Sequence, residues 1–479
     1  MIAMSLGEIA AIVGGRLRDA DEATLVTGHV EYDSRKLGAG DLFLALPGER
    51  ADGHDYAAAA LAAGAVAVLC TRPVSGPRIE VDDGVAALTA LATAVSRRLP
   101  ATVIGITGSS GKTSTKDVLR QLLDRIGPTI APAGSMNNEL GHPYTVLRAD
   151  LDTRFLVLEM GARGIGHIRH LAKIAPPHIG VVLNVGSAHL GEFGTREAIA
   201  VAKGELVEAL PSDGHAVLNA DDPLVSSMSS RTAAPTVTFG EAAAADVRAS
   251  DVSVDDLGRA SFTLHIGADS ARVALRLVGA HHVSNALAAA AVAHLVGSPI
   301  EDIASALGAA VATSRWRMET TERADGVLVI NDAYNANPES MRAALKALAS
   351  VAHARRATGG RSFAVLGGMA ELGDTAAAEH DALGRLAVRL DISQVIAVGE
   401  AAKPIQHGAA LEGSWNGEAR WVPDVDAAIA LLRQELAPGD VVLVKASRAA
   451  SLERVAIAVA EDAAEGSGGG SASGGSENA

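Results

Sequence analysis

TVIGITGSSGKTSTKDVLRQLLDRI, residues 102–126, decides the fold. TVIGITG (102–108) is an apolar run that reads as a strand. The middle is rich in Gly and Ser, and VLRQLLDRI reads as a helix. A strand, a glycine-rich turn and a helix in that order form an anion site, because turn N–H groups and the positive helix N-terminus converge on one point. Lys112 would reach the outer phosphates of a nucleotide, and the Thr113 hydroxyl would serve a Mg²⁺. The usual spacing asks for glycine at 106, where Ile106 stands. Glycines at 105 and 108 make this a variant phosphate loop. The loop does not decide what the phosphate is for.

Further apolar runs repeat the strand and helix rhythm on both sides. RFLVLEMG (154–161) and HIGVVLNVG (178–186) are continuous and bounded by glycine, as in a parallel sheet covered on both faces. The stretch Val237–Val278 alternates polar and apolar residues and reads as antiparallel hairpins; HHVSNALAAAAVAHLV (281–296) reads as a helix. VLVIND (327–332), FAVLGG (363–368), QVIAVG (394–399) and DVVLVKAS (440–447) form a second alternating series. Before the loop, DLFLALPG (41–48) and AGAVAVLC (63–70) are strands, and GVAALTALATAVSRRL (84–99) is a helix ended by basic residues and Pro100. The expectation is an α/β chain of three domains. Residues 1–99 form a small N-terminal α/β unit. Residues 100–315 form a central, doubly wound, mostly parallel phosphate-loop sheet with an antiparallel addition. Residues 316–464 form a C-terminal Rossmann-like domain. The Gly/Ser stretch at 465–479 reads as a disordered tail.

The bulk numbers narrow the class. The chain has 479 residues, with 41 basic and 56 acidic side chains and a net charge of −15. That charge argues against a nucleic-acid binder, whose affinity rests on neutralising phosphates. Cys70 is the only cysteine, which suits a reducing cytoplasm. The weakly polar run at 57–70 is shorter than the roughly 20 residues of a membrane span. No basic-then-apolar leader opens the chain, so a cytoplasmic protein without membrane insertion is expected.

Other residues join the loop as candidates. Glu159 ends an apolar strand, a good place for a Mg²⁺ ligand; the alternative is an exposed carboxylate at a strand end. His189, in NVGSAHLGEFGT, follows the next strand, yet a single His is commonly a hydrogen-bonded surface residue. Lys203, in AVAKGELVEAL, lies on a helix and taken alone is a solvated lysine. NDAYNANPESM (331–341) follows a strand and opens a helix at Pro338, where Asn337 can cap. Its Asp332, Tyr334, Asn335 and Asn337 are more hydrogen-bonding groups than a turn needs.

Eleven ordered pieces, among them YDSRKLGAGDLFLALPGERADGHDY (32–56), SMNNELGHP (135–143), LEMGARGIGHI (158–168), AKGEL (202–206), RWRMET (315–320), LGGMAELGD (366–374) and VKASRAASLE (444–453), resemble the Mur ligase family of ATP-dependent amide-forming enzymes. NNELGHP and NDAYNANP resemble most closely the branch that adds D-alanyl-D-alanine to a UDP-N-acetylmuramoyl-tripeptide in peptidoglycan synthesis. The resemblance implies ATP and Mg²⁺ as cofactors, those two small-molecule substrates as partners, and a monomer. It implies that Ser34 and Arg35 hold the uridine diphosphate. Thr107, Gly108, Ser109, Ser110, Gly111, Lys112 and Thr113, with Asn285, Arg317 and Asp332, would bind ATP. Thr113, Glu159, His189 and Lys203 (as a carbamate) would serve the metal ions. Asn137 and Asn138 would hold the peptide, and Asn335 and Asn337 the incoming dipeptide. Lys112, His189 and Lys203 are the implied catalytic groups. Three positions depart from the family pattern: Trp316 and Ala446 replace glycines, and Gly368 replaces an acid.

Three rival readings share the loop. A folate polyglutamate ligase needs no DSRKLGAGDLF unit. A nucleotide-hydrolysing switch would form no amide. A small-molecule kinase would yield a stable phosphate ester.

Overall fold

The computed structural model describes residues 1–48, 51–188, 190–413 and 418–465. His189 lies outside the described residues. So does the expected tail from 466 onward, while residue 465 itself ends the helix Glu453–Glu465.

Three large sheets follow one another along the chain. The first has five strands, in the order Arg16–Arg18, Arg78–Glu80, Ala67–Cys70, Leu42–Leu44, Val30–Glu31, parallel except at the first edge. The run at 57–70 resolves into the helix Ala57–Ala62, a turn at Gly64 with φ +110°, and the strand Ala67–Cys70.

The second sheet has nine strands. At its switch point the strand Thr102–Thr107 lies between Phe155–Glu159 and Ile179–Val182, parallel to both. In an open α/β sheet the crevice beyond such strand ends is where ligands bind. His215–Asn219 and Thr236–Gly240 extend the parallel part, and Val247–Val254, Arg259–Ile266 and Asp269–Val278 form the antiparallel addition. The hairpins expected from Val237 therefore begin one strand later. Thr236–Gly240 follows His215–Asn219 through a helical crossover, Pro223–Arg231, and such a connection returns the chain parallel.

One face of this sheet is covered by the helices Lys112–Leu123 and His282–Leu295. Ala288, Ala289, Ala290 and Ala291 are fully buried there. Small side chains let helix and sheet approach closely, which is how a chain with 3% aromatics still closes its core. The opposite face packs against the first unit in one continuous apolar cluster.

The third sheet runs Glu319–Glu322, Leu328–Asn331, Val441–Lys445, Ser362–Leu366, Gln394–Val398, Ala419–Val422, with an antiparallel first edge and the rest parallel. Among the described residues no helix is long and apolar enough to cross a membrane.

Candidate active site

The loop after Thr102–Thr107 is held from inside the sheet. Thr107 Oγ1 donates to the Met160 carbonyl (2.9 Å), Ser109 N donates to Asn184 O (3.1 Å) and Ser110 N to Asn184 Oδ1 (3.0 Å). Gly111 has φ +82°, and a Cβ there would lie 2.6 Å from Asn285 Oδ1. Asn285 also accepts from Thr115 Oγ1 (3.2 Å), so this amide of the helix His282–Leu295 sits against Gly111 and bonds to the helix that the loop opens. The variant spacing has a packing cause. A Cβ at Gly105 would stand 2.9 Å from a Leu206 methyl and 3.1 Å from the Met160 methyl, while Ile106 points into the opposite, fully buried face.

Lys112 opens the helix and donates to Gly108 O (2.6 Å). Burial lowers its pKa; the Glu159 carboxylate opposes that shift and Arg317 adds to it. Thr113 Oγ1 donates to Glu159 Oε2 (3.2 Å) and accepts from Arg317 Nη2 (3.3 Å). Glu159 is fully buried, not the exposed strand-end carboxylate of the alternative reading. Burial raises its pKa against the charges of Lys116, Lys112 and Arg317, and its Oε1 has no hydrogen-bond partner among the described residues. Ser135 reaches Oε2 at 3.5 Å and in turn accepts from Asn137 Nδ2 (2.9 Å). Asn138 Oδ1 accepts from Gly141 N (2.9 Å), fixing the start of the helix Gly141–Val146.

Lys203, on the helix Arg196–Glu208, is 5% exposed and so is not a solvated lysine. It has no hydrogen-bond or ion-pair partner among the described residues. Burial and then the Lys112 charge hold its ammonium well below the usual lysine range. A hard divalent cation fits this set. The orphan Glu159 oxygen and the Thr113 hydroxyl are oxygen donors of the type Mg²⁺ prefers, and the burial of Lys203, close enough to Lys112 to feel its charge, favours the uncharged amine there.

The third sheet reaches over the loop. Asp332 Oδ1 accepts from Met318 N (3.1 Å) and its Oδ2 pairs with buried Lys445 (2.6 Å), which also donates to Asn335 O (2.8 Å). Burial lowers the Lys445 pKa, and Asp332 counteracts this. Arg317 stacks on Tyr334 (4.2 Å) while touching Thr113. Asn337 caps the helix Pro338–Arg356 in a reciprocal box with Ser340, and its Nδ2 donates to Ser109 O (3.3 Å). Asn335 is exposed and binds the next backbone N–H. Glu339 accepts from both N and Oγ of Ser187 (2.8 Å each).

The departures from the family pattern have local reasons. Trp316 keeps a left-handed φ of +59°, where glycine is at ease, and its ring covers Arg448 (4.4 Å). A Cβ at Gly368 would lie 2.8 Å from that of Ala401. Ala446 is buried, its Cβ 2.7 Å from where Gly367 would carry one.

Thus Thr107–Thr113, Glu159, Asn285, Arg317, Asn337 and, through Ser135, Asn137 form one connected set, with Asp332 beside Arg317. Ser34 and Arg35 belong to the short turn Ser34–Lys36 of the first unit, where Arg35 pairs with Asp33 (2.8 Å), apart from the loop. Lys445, Glu339 and Glu205 were not singled out from sequence. Glu205, fully buried beside Lys203 in the chain, accepts from Gly166 N (2.6 Å) and Arg169 N (3.1 Å) and so seats the helix His167–Ile174.

Comparison with known proteins places this arrangement. Residues 27–100, 106–293 and 316–448 match, in turn, the Mur ligase family catalytic domain, the Mur ligase middle domain and the Mur ligase glutamate ligase domain. The UDP-N-acetylmuramoyl-tripeptide–D-alanyl-D-alanine ligase of Mycobacterium tuberculosis is 54% identical, over 96% of this chain and 98% of the relative. The Escherichia coli protein of the same name is 35% identical over 96% and 99%. The crystal structure of MurF from Acinetobacter baumannii superposes with a TM-score of 0.83 at 32% identity, over 96% of this chain and 99% of that one. MurF from Thermotoga maritima, in complex with ADP, gives 0.76 at 32% identity, over 92% and 99%. With matched segments in all three sheets and relatives aligned along nearly their whole length, the chain belongs to the Mur ligase family.

Proposed function

We propose that this protein is an ATP-dependent ligase that joins D-alanyl-D-alanine to UDP-N-acetylmuramoyl-tripeptide, as a cytoplasmic monomer supplying peptidoglycan precursor. The observation that carries the reading is the near-full-length likeness, at 35–54% identity, to ligases of that name. The geometry supports the same chemistry. A free carboxylate is a poor acyl donor because oxide is a poor leaving group. The tripeptide carboxylate therefore attacks the γ-phosphorus of ATP, ADP departs, and an acyl phosphate forms. The dipeptide amine then attacks the acyl carbon; inorganic phosphate leaves with the bonding pair, and the amine gives up a proton.

The residues around the loop position and neutralise these partners. The loop 107–113 cradles the phosphates, and Lys112 and Arg317 bring positive charge to them. Asn285 and Asp332 hold the nucleoside. Thr113 and Glu159, with Lys203 as a carbamate and His189, would hold Mg²⁺, which supplies charge neutralisation when bound. Asn137 and Asn138 hold the peptide end, Asn335 and Asn337 the incoming dipeptide, and Ser34 and Arg35 the uridine diphosphate. Contacts of Arg317, Asn337 and Glu339 across to Thr113, Ser109 and Ser187 close the third unit over the loop, which shields an acyl phosphate from water.

The test is ATP consumption by the purified protein with Mg²⁺, in the presence and absence of each substrate, with mass analysis of the product. The expected result is ADP, phosphate and the joined pentapeptide only when both substrates are present. ATP consumption that never yields the amide overturns the proposal.

A further inference from the structure

One buried carboxylate outside the set just described joins two substrate segments. Glu31, 2% exposed, ends the strand Val30–Glu31 of the first sheet. Its Oε1 accepts from Tyr32 N and Asp33 N, 3.0 Å each, and so shapes the turn that carries Ser34 and Arg35. Its Oε2 accepts from the Tyr144 hydroxyl (2.8 Å) and from Arg148 Nη2 (2.6 Å). Tyr144 lies on the helix Gly141–Val146, whose first turn is fixed by Asn138, and Arg148 lies just beyond it. Aromatic and cationic packing stiffen the junction: the Tyr32 and Tyr144 rings meet edge to face at 4.9 Å, and the Arg148 guanidinium covers the Tyr144 ring at 4.4 Å. Charge-assisted bonds of this kind are short and directional, and a buried carboxylate with four donors has one orientation.

We propose that Glu31 is a positioning residue that fixes the separation between the nucleotide-diphosphate turn at 33–35 and the peptide-holding segment at 137–138, and thereby sets how the sugar nucleotide spans the two. The inference rests on the assignment of Ser34 and Arg35 to the diphosphate and of Asn137 and Asn138 to the peptide. A substrate with a nucleotide at one end and a peptide at the other gains from both contacts only if the distance between them matches its own length. A loosened junction lets either end bind but not both together in register. A substrate without the nucleotide is indifferent to that distance.

The experiment uses this difference. Glu31→Gln keeps the shape and leaves one oxygen where two were needed. With UDP-N-acetylmuramoyl-tripeptide, kcat/KM should fall roughly tenfold or more through KM, with kcat and the KM for ATP within about twofold. With N-acetylmuramoyl-tripeptide lacking the uridine diphosphate, the same variant should match the parent protein. Tyr144→Phe, which keeps the ring packing and removes one bond, should show the same selectivity at smaller size, and it serves if Glu31→Gln does not fold. An equal loss on both substrates, or a loss carried by kcat, overturns the positioning role. Arg35→Ala separates this from the underlying assignment. If it fails to reduce the advantage of the nucleotide-bearing substrate, the diphosphate turn is misassigned and the proposal falls with it.

Discussion

Replacing Lys445 with methionine probes the ion pair that organises the third unit's share of the site. The ammonium is buried and lies 2.6 Å from Asp332 Oδ2; its second bond, 2.8 Å, goes to the Asn335 carbonyl. Methionine preserves most of the stem volume, so a cavity contributes little. What remains is a buried carboxylate with one amide donor, Met318 N. Breaking a buried pair by removing one partner costs about 3–5 kcal/mol, a large share of the roughly 5–15 kcal/mol that holds a domain together. The described residues form three large sheets, so one global unfolding transition is not expected. Its three tryptophans, Trp316, Trp415 and Trp421, all lie after residue 315, and their fluorescence reports the third unit. At a urea slope of about 1–3 kcal/mol per molar, the tryptophan midpoint should drop by about 1 M or more. Asp332→Ala/Lys445→Met removes both charges and should regain at least half of that stability, yet remain inactive because the proposed nucleoside contact of Asp332 is gone. A single-variant loss below about 1 kcal/mol would refute the reasoning, since the pair would then be making no net contribution to the turn at 332–337.

The remaining predictions address the loop and its surroundings. Lys203→Ala should lose most ligase activity with the fold retained, and formate or acetate should restore part of it by supplying an oxygen ligand; full activity without additive would contradict a carbamate role. Glu159→Gln should lower kcat by about 10²–10³ and raise the Mg²⁺ concentration for half-activity, read by a magnesium titration; an unchanged titration would remove Glu159 from the metal site. Asn337→Ala should destabilise the third unit by about 1 kcal/mol through loss of the helix cap, measured by the same tryptophan signal. Burial lowers the pKa of His142 to about 4, from 6.5. Between those values the unfolded chain binds a proton that the folded chain does not. Its contribution to stability is therefore intact above about pH 6.5 and declines towards pH 4, by about 3 kcal/mol at the lower end. Urea titrations at pH 7, 5.5 and 4 should show a shallower decline in His142→Leu.

What the sequence revealed and what it concealed separate by range. The strand Thr102–Thr107, the loop and the helix Lys112–Leu123 are contiguous, and so is the cap at Asn337 followed by Pro338, so local chemistry was enough to read them. Glu159 was legible as a charge closing an apolar strand, though only the packed sheet shows that it is fully buried. Lys445 carries the same signal. It closes VVLVK as Glu159 closes FLVLE, each at the carboxyl end of a fully buried parallel strand. Applied to bases as well as acids, that rule would have found it. Glu339 gave no such signal, and Glu31 closes a buried parallel strand of only two residues, too short to read as an apolar run; the meaning of both lies in partners 152 and 113 residues away, Ser187 and Tyr144. The four groups differ in kind for that reason. Glu159 and Lys445 stand where a sheet presents its strand ends to a ligand, and any sheet of this class offers that position. Glu339 and Glu31 instead join one unit to the next, and the pairing of a carboxylate with a donor more than a hundred residues away is set by how the units pack, which no local stretch of sequence encodes.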